Sequence, residues 1–310
     1  MPTSPLLRLG TRRSPLALAQ AGETRARLCD ALECDEGEIE LVPVIASGDK
    51  IQDRPLADIG GKALWTRELD AWLAEGRIDA AVHSMKDVET LRPESLTIAA
   101  ILPRADKADV LIGATSIAGI PPGALVGTSA PRRAAQLLHA RPDLEVVGIR
   151  GNVATRLAKL QAGEADATFL AAAGLDRLGE NGVGTRLDPG EWLPAPAQAA
   201  IGIECRADDR RTRDLLARID HAPSHIEVMA ERHLLEGLGG SCHSPIAVLT
   251  TPLGGELRMD AAIYSPDGAN RITGSARFAA DHFGPVAALA RQLLDDAPDH
   301  VRVHFGGSHA

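Results

Sequence analysis

Ala80-Ala81-Val82-His83-Ser84-Met85-Lys86-Asp87-Val88 is an apolar run that stops at an abrupt polar tetrad. A short run of this kind reads as a buried strand of a parallel sheet. Ligands of open α/β sheets bind in the crevice beyond the carboxyl ends of the strands, so a polar tetrad at such an end is a candidate site. Lys86 offers a cation for a substrate carboxylate. Asp87 offers a carboxylate that stabilises a developing cation or moves a proton. The blander alternative is a solvated turn in which the two charges neutralise each other.

Outward from this strand, β-rich runs alternate with amphipathic helical patterns. Residues 39–45 read as a strand, 63–75 as a helix, and 78–83 and 96–102 as strands. A second round follows, with strands at 124–127, 144–149 and 167–172 and helices at 132–140 and 153–162. Residues 179–196, with Pro189, Gly190, Pro194 and Pro196, read as an irregular crossing; a strand at 199–205 and a helix at 208–219 then return the chain to the first lobe. From His221 the pattern changes to a helix at 224–238, three strand-like runs at 246–251, 257–264 and 271–278, and a closing helix at 285–294. The expectation is an α/β chain of two lobes, 1–102 with 198–219 and 103–197, followed by an α+β domain at 220–310 with a small antiparallel sheet.

The chain has 310 residues, too many for one ordinary core. Its apolar fraction of 45% is that of a globular protein, and no apolar run approaches the roughly 20 residues that span a bilayer. The first ten residues lack the pattern of a secretion signal, which makes the cytoplasm the expected location. Cys29, Cys34, Cys205 and Cys242 match neither a Cys-x-x-Cys pair nor a disulfide framework, and no metal site is expected. A net charge of −9 argues against nucleic acid as partner. The cations are lopsided, 28 Arg against five Lys, and Arg is favoured where carboxylates or phosphates are gripped by a planar fork. A GC-rich genome inflates Arg as well, so position has to decide.

Several positions point the same way. Gly10-Thr11-Arg12-Arg13-Ser14-Pro15 precedes a helix in the first lobe and Gly127-Thr128-Ser129-Ala130-Pro131-Arg132-Arg133 precedes one in the second. Each puts hydroxyls, backbone N–H groups and guanidinium forks at a helix start, where anions are favoured; plain N-capping by Ser14, Thr128 or Ser129 is the alternative. Arg150 and Arg156 flank a further strand–turn–helix, and Arg177 follows another strand. Gly60-Gly61-Lys62 reads as an anion cap or a mobile hinge. Cys205, inside Ile201-Gly202-Ile203-Glu204-Cys205, reads as a buried, inert thiol. Cys242, thrown onto a turn after Gly239-Gly240, reads as a nucleophile or attachment point.

Taken together, Arg12-Arg13-Ser14-Pro15-Leu16-Ala17-Leu18, Gly60-Gly61-Lys62, His83-Ser84-Met85-Lys86-Asp87-Val88, Gly127-Thr128-Ser129, Arg132-Arg133, Arg150-Gly151-Asn152-Val153, Gly202-Ile203-Glu204-Cys205-Arg206 and the loop at Cys242 resemble the porphobilinogen deaminase family in content and order. The resemblance runs from about Leu6 to the end. It implies two periplasmic-binding-protein-like lobes around a cleft and a third domain that anchors the cofactor. It also implies a transferase of haem biosynthesis. Four porphobilinogen units are condensed with loss of ammonia on a dipyrromethane primer held by a thioether, and hydroxymethylbilane is released by hydrolysis. By the same match Asp87 is catalytic. Cys242 anchors the dipyrromethane, with Lys86, Thr128, Ser129, Arg132 and Arg133 around it. Arg12, Ser14, Lys62, Arg150, Arg156 and Arg177 hold substrate. The expected partner is porphobilinogen alone, without nucleic acid or membrane, on a cytoplasmic monomer. The chain departs from the family pattern at Ala130-Pro131, where Ser-Leu is more usual, at Trp65 in place of Phe, and at Asp58 in a position often basic. A solute-binding protein without catalysis is the rival reading, since two lobes around an anion-holding cleft also build such proteins.

Overall fold

The computed structural model describes residues 5–44 and 66–305. Asp58, Gly60, Gly61, Lys62 and Trp65 lie outside the described residues, as do the end of the strand expected at 39–45 and the start of the helix expected at 63–75. The chain begins with β1 (Leu7–Arg12), α1 (Pro15–Leu32), β2 (Ile39–Val44), α2 (Arg67–Ala74), β3 (Ala80–Ser84) and β4 (Leu96–Ile101). A second round comprises β5 (Asp109–Ile112), β6 (Leu125–Gly127), α3 (Pro131–Ala140), β7 (Glu145–Val147), α4 (Val153–Gln161), β8 (Ala167–Ala171), α5 (Ala172–Arg177) and the two-residue β9 (Thr185–Arg186). The chain then forms β10 (Ile201–Arg206) and α6 (Arg210–Ala217). It ends with α7 (Ala222–Gly237), the strands β11 (Ile246–Leu253), β12 (Glu256–Tyr264) and β13 (Arg271–Phe278), then α8 (Gly284–Asp295) and α9 (Asp299–Arg302).

Both five-stranded sheets have one topology. The first runs β2-β1-β3-β10-β4 and the second β7-β6-β8-β5-β9. In each, the first three strands are parallel and the fourth is antiparallel to both neighbours. The third sheet is the antiparallel meander β11-β12-β13. This is the α/β architecture with a small C-terminal antiparallel sheet that the sequence predicts. Short β5 and β9 are the additions: β9 falls inside the crossing read as irregular, and β5 carries only four residues, too few for a period to show.

Burial explains the continuous apolar reading of β3 and β10. On one face of the first sheet Leu9, Val82, Ile201 and Ile203 pack with Leu28 of α1; on the other, Ala81 packs with Leu69 and Leu73 of α2. Covered on both sides, the strands have no polar face to alternate with. In the C-terminal sheet β12 keeps a period of two toward its start, and Met259, Ala261 and Ile263 face Leu289 and Leu293 of α8. Two compact units make up the chain: Met1–Ala105 with Ala199–His225, and Asp106–Gln198 with Ile226–Ala310. Within the second, Ala247, Ala262 and Tyr264 of the meander pack on Ala135 and Leu193, and His139 Nδ1 lies 2.9 Å from the Gly268 carbonyl.

Candidate functional site

In the first lobe β1 and β3 run parallel, so their carboxyl ends reach the same sheet edge. The chain leaves β1 at Arg12 and enters α1 through Ser14, whose hydroxyl oxygen accepts from Ala17 N at 3.3 Å, with Pro15 in the first helical position. Ser14 is thus the N-cap of α1. Beyond β3 the backbone makes a single tight turn, Met85–Asp87. Met85 pins it: its side chain is 2% exposed, and its N–H donates to Ala200 O at 3.0 Å. The neighbour is Gly202, where a Cβ would overlap Met85 Sδ. With Met85 seated, Lys86 and Asp87 are left half-buried. Arg12, Ser14, Gln20, His83, Ser84 and Asp87 line one cleft of this lobe.

Gln20 is a polar residue of this cleft that the sequence did not disclose. It is 4% exposed, and its amide meets Ser84 Oγ from both ends, Nε2 donating at 2.9 Å and Oε1 accepting at 3.0 Å. The one available signal was its place among Ala17, Ala21, Thr24 and Leu28 on the buried stripe of α1, a position where an amide needs a partner.

In the second lobe the parallel strands β7, β6 and β8 likewise end together. After β6, Thr128 N donates to Val147 O at 2.8 Å, Thr128 Oγ1 accepts from Ala130 N at 3.2 Å, and Ser129 Oγ donates to Ile149 O at 2.8 Å. These hydroxyls therefore shape the loop. The N-cap of α3 is Ala130, which makes no side-chain cap, and Pro131 follows in the first helical position. Asn152 caps α4 by accepting from Thr155 N at 2.9 Å, and Arg156 Nε donates to Gly151 O at 3.0 Å. Arg150, Arg156 and Arg177 are half-buried at these junctions.

Arg132 and Arg133, expected as guanidinium forks that grip an anion at the start of a helix, pair with a carboxylate of the lobe itself. Both are buried, at 4% and 5% exposed, and both turn inward to Asp109 at the start of β5. Arg133 Nη2 donates to Asp109 Oδ1 at 2.7 Å and Arg132 Nη1 to Oδ2 at 2.5 Å. Trp192 Nε1 and Gln198 Nε2 donate to the same carboxylate at 3.0 and 2.9 Å. Burial alone would push the Asp109 carboxyl up, but the two guanidinium charges and their hydrogen bonds outweigh it and hold it far below the usual carboxylate range. Arg132 Nε is buried without a hydrogen-bond partner.

Cys242 is exposed in the loop between α7 and β11, where Ser241 N donates to Ser244 Oγ at 3.1 Å and His243 N to Ser241 Oγ at 3.2 Å. Cys205 is buried, and burial pushes its thiol up to about 11, so it stays protonated at neutral pH. Among the described residues no helix is long and apolar enough to cross a membrane.

Two family models match the chain. Residues 7–214 match the porphobilinogen deaminase, dipyromethane cofactor binding domain, and residues 225–294 match the porphobilinogen deaminase C-terminal domain. The porphobilinogen deaminase of Sphingopyxis alaskensis is 55% identical over 98% of this chain and 98% of its own. That of Paracoccus denitrificans is 49% identical over 96% of each. Among solved structures, the VFT2 domain of Bordetella pertussis BvgS matches at 16% identity and a TM-score of 0.42, over 73% of this chain and 91% of that one. The chain belongs to the porphobilinogen deaminase family.

Proposed function

We propose that the chain condenses four porphobilinogen units in turn, each with loss of ammonia, and releases hydroxymethylbilane by hydrolysis, as a transferase of tetrapyrrole synthesis. The observation that carries this is the first-lobe cleft: a half-buried carboxylate, Asp87, on a turn pinned by Met85, with Arg12, Ser14 and Ser84 around it. Loss of ammonia leaves positive charge on the pyrrole, and a fixed carboxylate in a partly dry cleft stabilises that charge far better than water does. Arg12, Ser14, Arg150, Arg156 and Arg177 hold the acetate and propionate groups of the substrate.

A dipyrromethane fits this chain. Cys242 is an exposed thiol on a glycine-flanked loop, open to thioether formation. The Arg132 and Arg133 pair keeps one net positive charge after Asp109 is counted, and the buried Arg132 Nε is a donor without an acceptor. Once bound, the dipyrromethane supplies the covalent primer to which pyrrole units are joined. Lys86, Thr128 and Ser129 face its carboxylates in this reading, the buried Arg132 and Arg133 pair lends them its net positive charge, and Cys242 is its anchor. The division into 1–102 with 198–219, 103–197 and a cofactor-anchoring 220–310 belongs to the same proposal, as does a cytoplasmic monomer with no nucleic-acid partner.

Turnover of porphobilinogen with release of ammonia tests it. Asp87→Ala is expected to fold and to lose about 10²–10³-fold in kcat, the scale for removing one preorganised charge-stabilising group. Unimpaired turnover in that variant contradicts the role of Asp87.

A further inference from the structure

Behind the cleft a single guanidinium gathers three carboxylates. Arg92 forks onto Glu204 of β10, with Nε to Oε1 at 2.9 Å and Nη2 to Oε2 at 2.8 Å. The same Nη2 reaches Asp70 Oδ1 of α2 at 2.6 Å, and Nη1 reaches Glu89 Oε2 at 2.7 Å and Thr66 Oγ1 at 3.3 Å. Thr66 Oγ1 in turn donates to Glu89 Oε2 at 2.9 Å. The side chains of Arg92 and Glu204 are 9% and 1% exposed. His83 of β3 faces the same carboxylate, its Nε2 3.4 Å from Glu204 Oε2.

The placement matters more than the charge count. A buried ion cluster is a weak source of net stability, because desolvation consumes most of the Coulombic gain; what it does well is fix geometry. Glu89 and Arg92 follow Asp87 by two and five residues, and Thr66 and His83 share the Asp87 cleft. Ahead of Asp87 the turn is held by Gln20 on Ser84 and by Ala200 on Met85. On the far side the network joins the 88–92 segment to β10 and α2. None of the motifs that place the chain in its family includes Arg92.

We infer that Arg92 is a positioning residue for the proposed reaction: through Glu89, Glu204 and Asp70 it fixes the backbone on the C-terminal side of Asp87, so that the carboxylate meets the charge developed as ammonia leaves. This rests on the proposed function. Displacement of a catalytic group by about 1 Å costs on the order of 10²-fold in rate while leaving distant carboxylate grips intact. The signature is a fall in kcat with KM unchanged.

The experiment measures kcat and KM for porphobilinogen on wild type, Arg92→Lys, Arg92→Met and Arg92→Met/Glu204→Met, per molecule carrying the cofactor mass. The paired variant removes the buried charge together with its partner, which keeps a folded protein in the comparison if Arg92→Met alone does not fold. The expected result is a loss of at least about tenfold in kcat for the paired variant, with KM within about twofold. Arg92→Lys recovers part of the loss, because it keeps the charge but not the fork. A paired variant with wild-type kcat, or a loss confined to KM, overturns the inference. A wild type without turnover overturns instead the reaction on which it rests.

Discussion

Gln20 holds Ser84 from both ends of its amide, so Gln20→Leu leaves the hydroxyl of a cleft residue without its fixed partner. The expected cost is about 1–2 kcal/mol of transition-state stabilisation, roughly tenfold in kcat/KM, with little change in thermal unfolding. A wild-type kcat/KM would show that Ser84 needs no orientation. Gly202→Ala is a change of another kind, since its Cβ would overlap Met85 and push the turn that bears Asp87. Overpacking of this sort costs about 1–3 kcal/mol, read as a lowered melting temperature. At this scale legibility was uneven. The flanking residues of Cys205 and Cys242 were enough to separate a buried thiol from an exposed one. Gln20 and Arg92 stayed hidden because each is defined by partners far along the chain: Ser84 for one, Glu204 for the other.

Strands and helices followed the alternation of periods closely. Strand β13 matches its expected limits, and α3, α4 and α8 begin or end within about two residues of theirs, the usual fraying of helix ends. The unread strand β5 is the consequential omission, because it carries Asp109. Without that carboxylate, Arg132 and Arg133 read only as donors for a bound anion; with it, they are also partners of a buried Asp inside the lobe. Asp109→Asn leaves two buried guanidinium groups short of their counter-charge, at a cost of about 3–5 kcal/mol in denaturant unfolding. Acid acts on the same elements. Burial raises the Glu204 carboxyl, but facing His83 and Arg92 bring it down to about 2, and Asp109 is also depressed. A carboxyl depressed in the folded state contributes stability above its unfolded pKa of about 4, and that contribution is lost as pH falls toward the folded value. The urea midpoint is therefore expected to drop between pH 6 and pH 3, with Glu204 alone accounting for roughly 1–3 kcal/mol by pH 2. Equal midpoints at pH 6 and pH 3 would contradict the depressed carboxyls.

The two α/β sheets repeat one strand order, and the faint echo between Gly10-Thr11 and Gly127-Thr128 falls at equivalent places, the ends of β1 and β6. The return of β10 to the first sheet was legible because the proline-rich crossing breaks the second round before it. The grouping of the second lobe with the C-terminal meander in one compact unit was not: it depends on Tyr264, Ala135 and Leu193, each of which reads as ordinary core. At the scale of the whole molecule, the proposed reaction has the chain carry its own primer. The most direct test is the intact mass of the purified protein under denaturing conditions, compared with that of Cys242→Ser, because a thioether survives unfolding. The account predicts an excess equal to two linked pyrrole units in the wild type and none in the variant; the bare polypeptide mass, from cells able to make porphobilinogen, would contradict it.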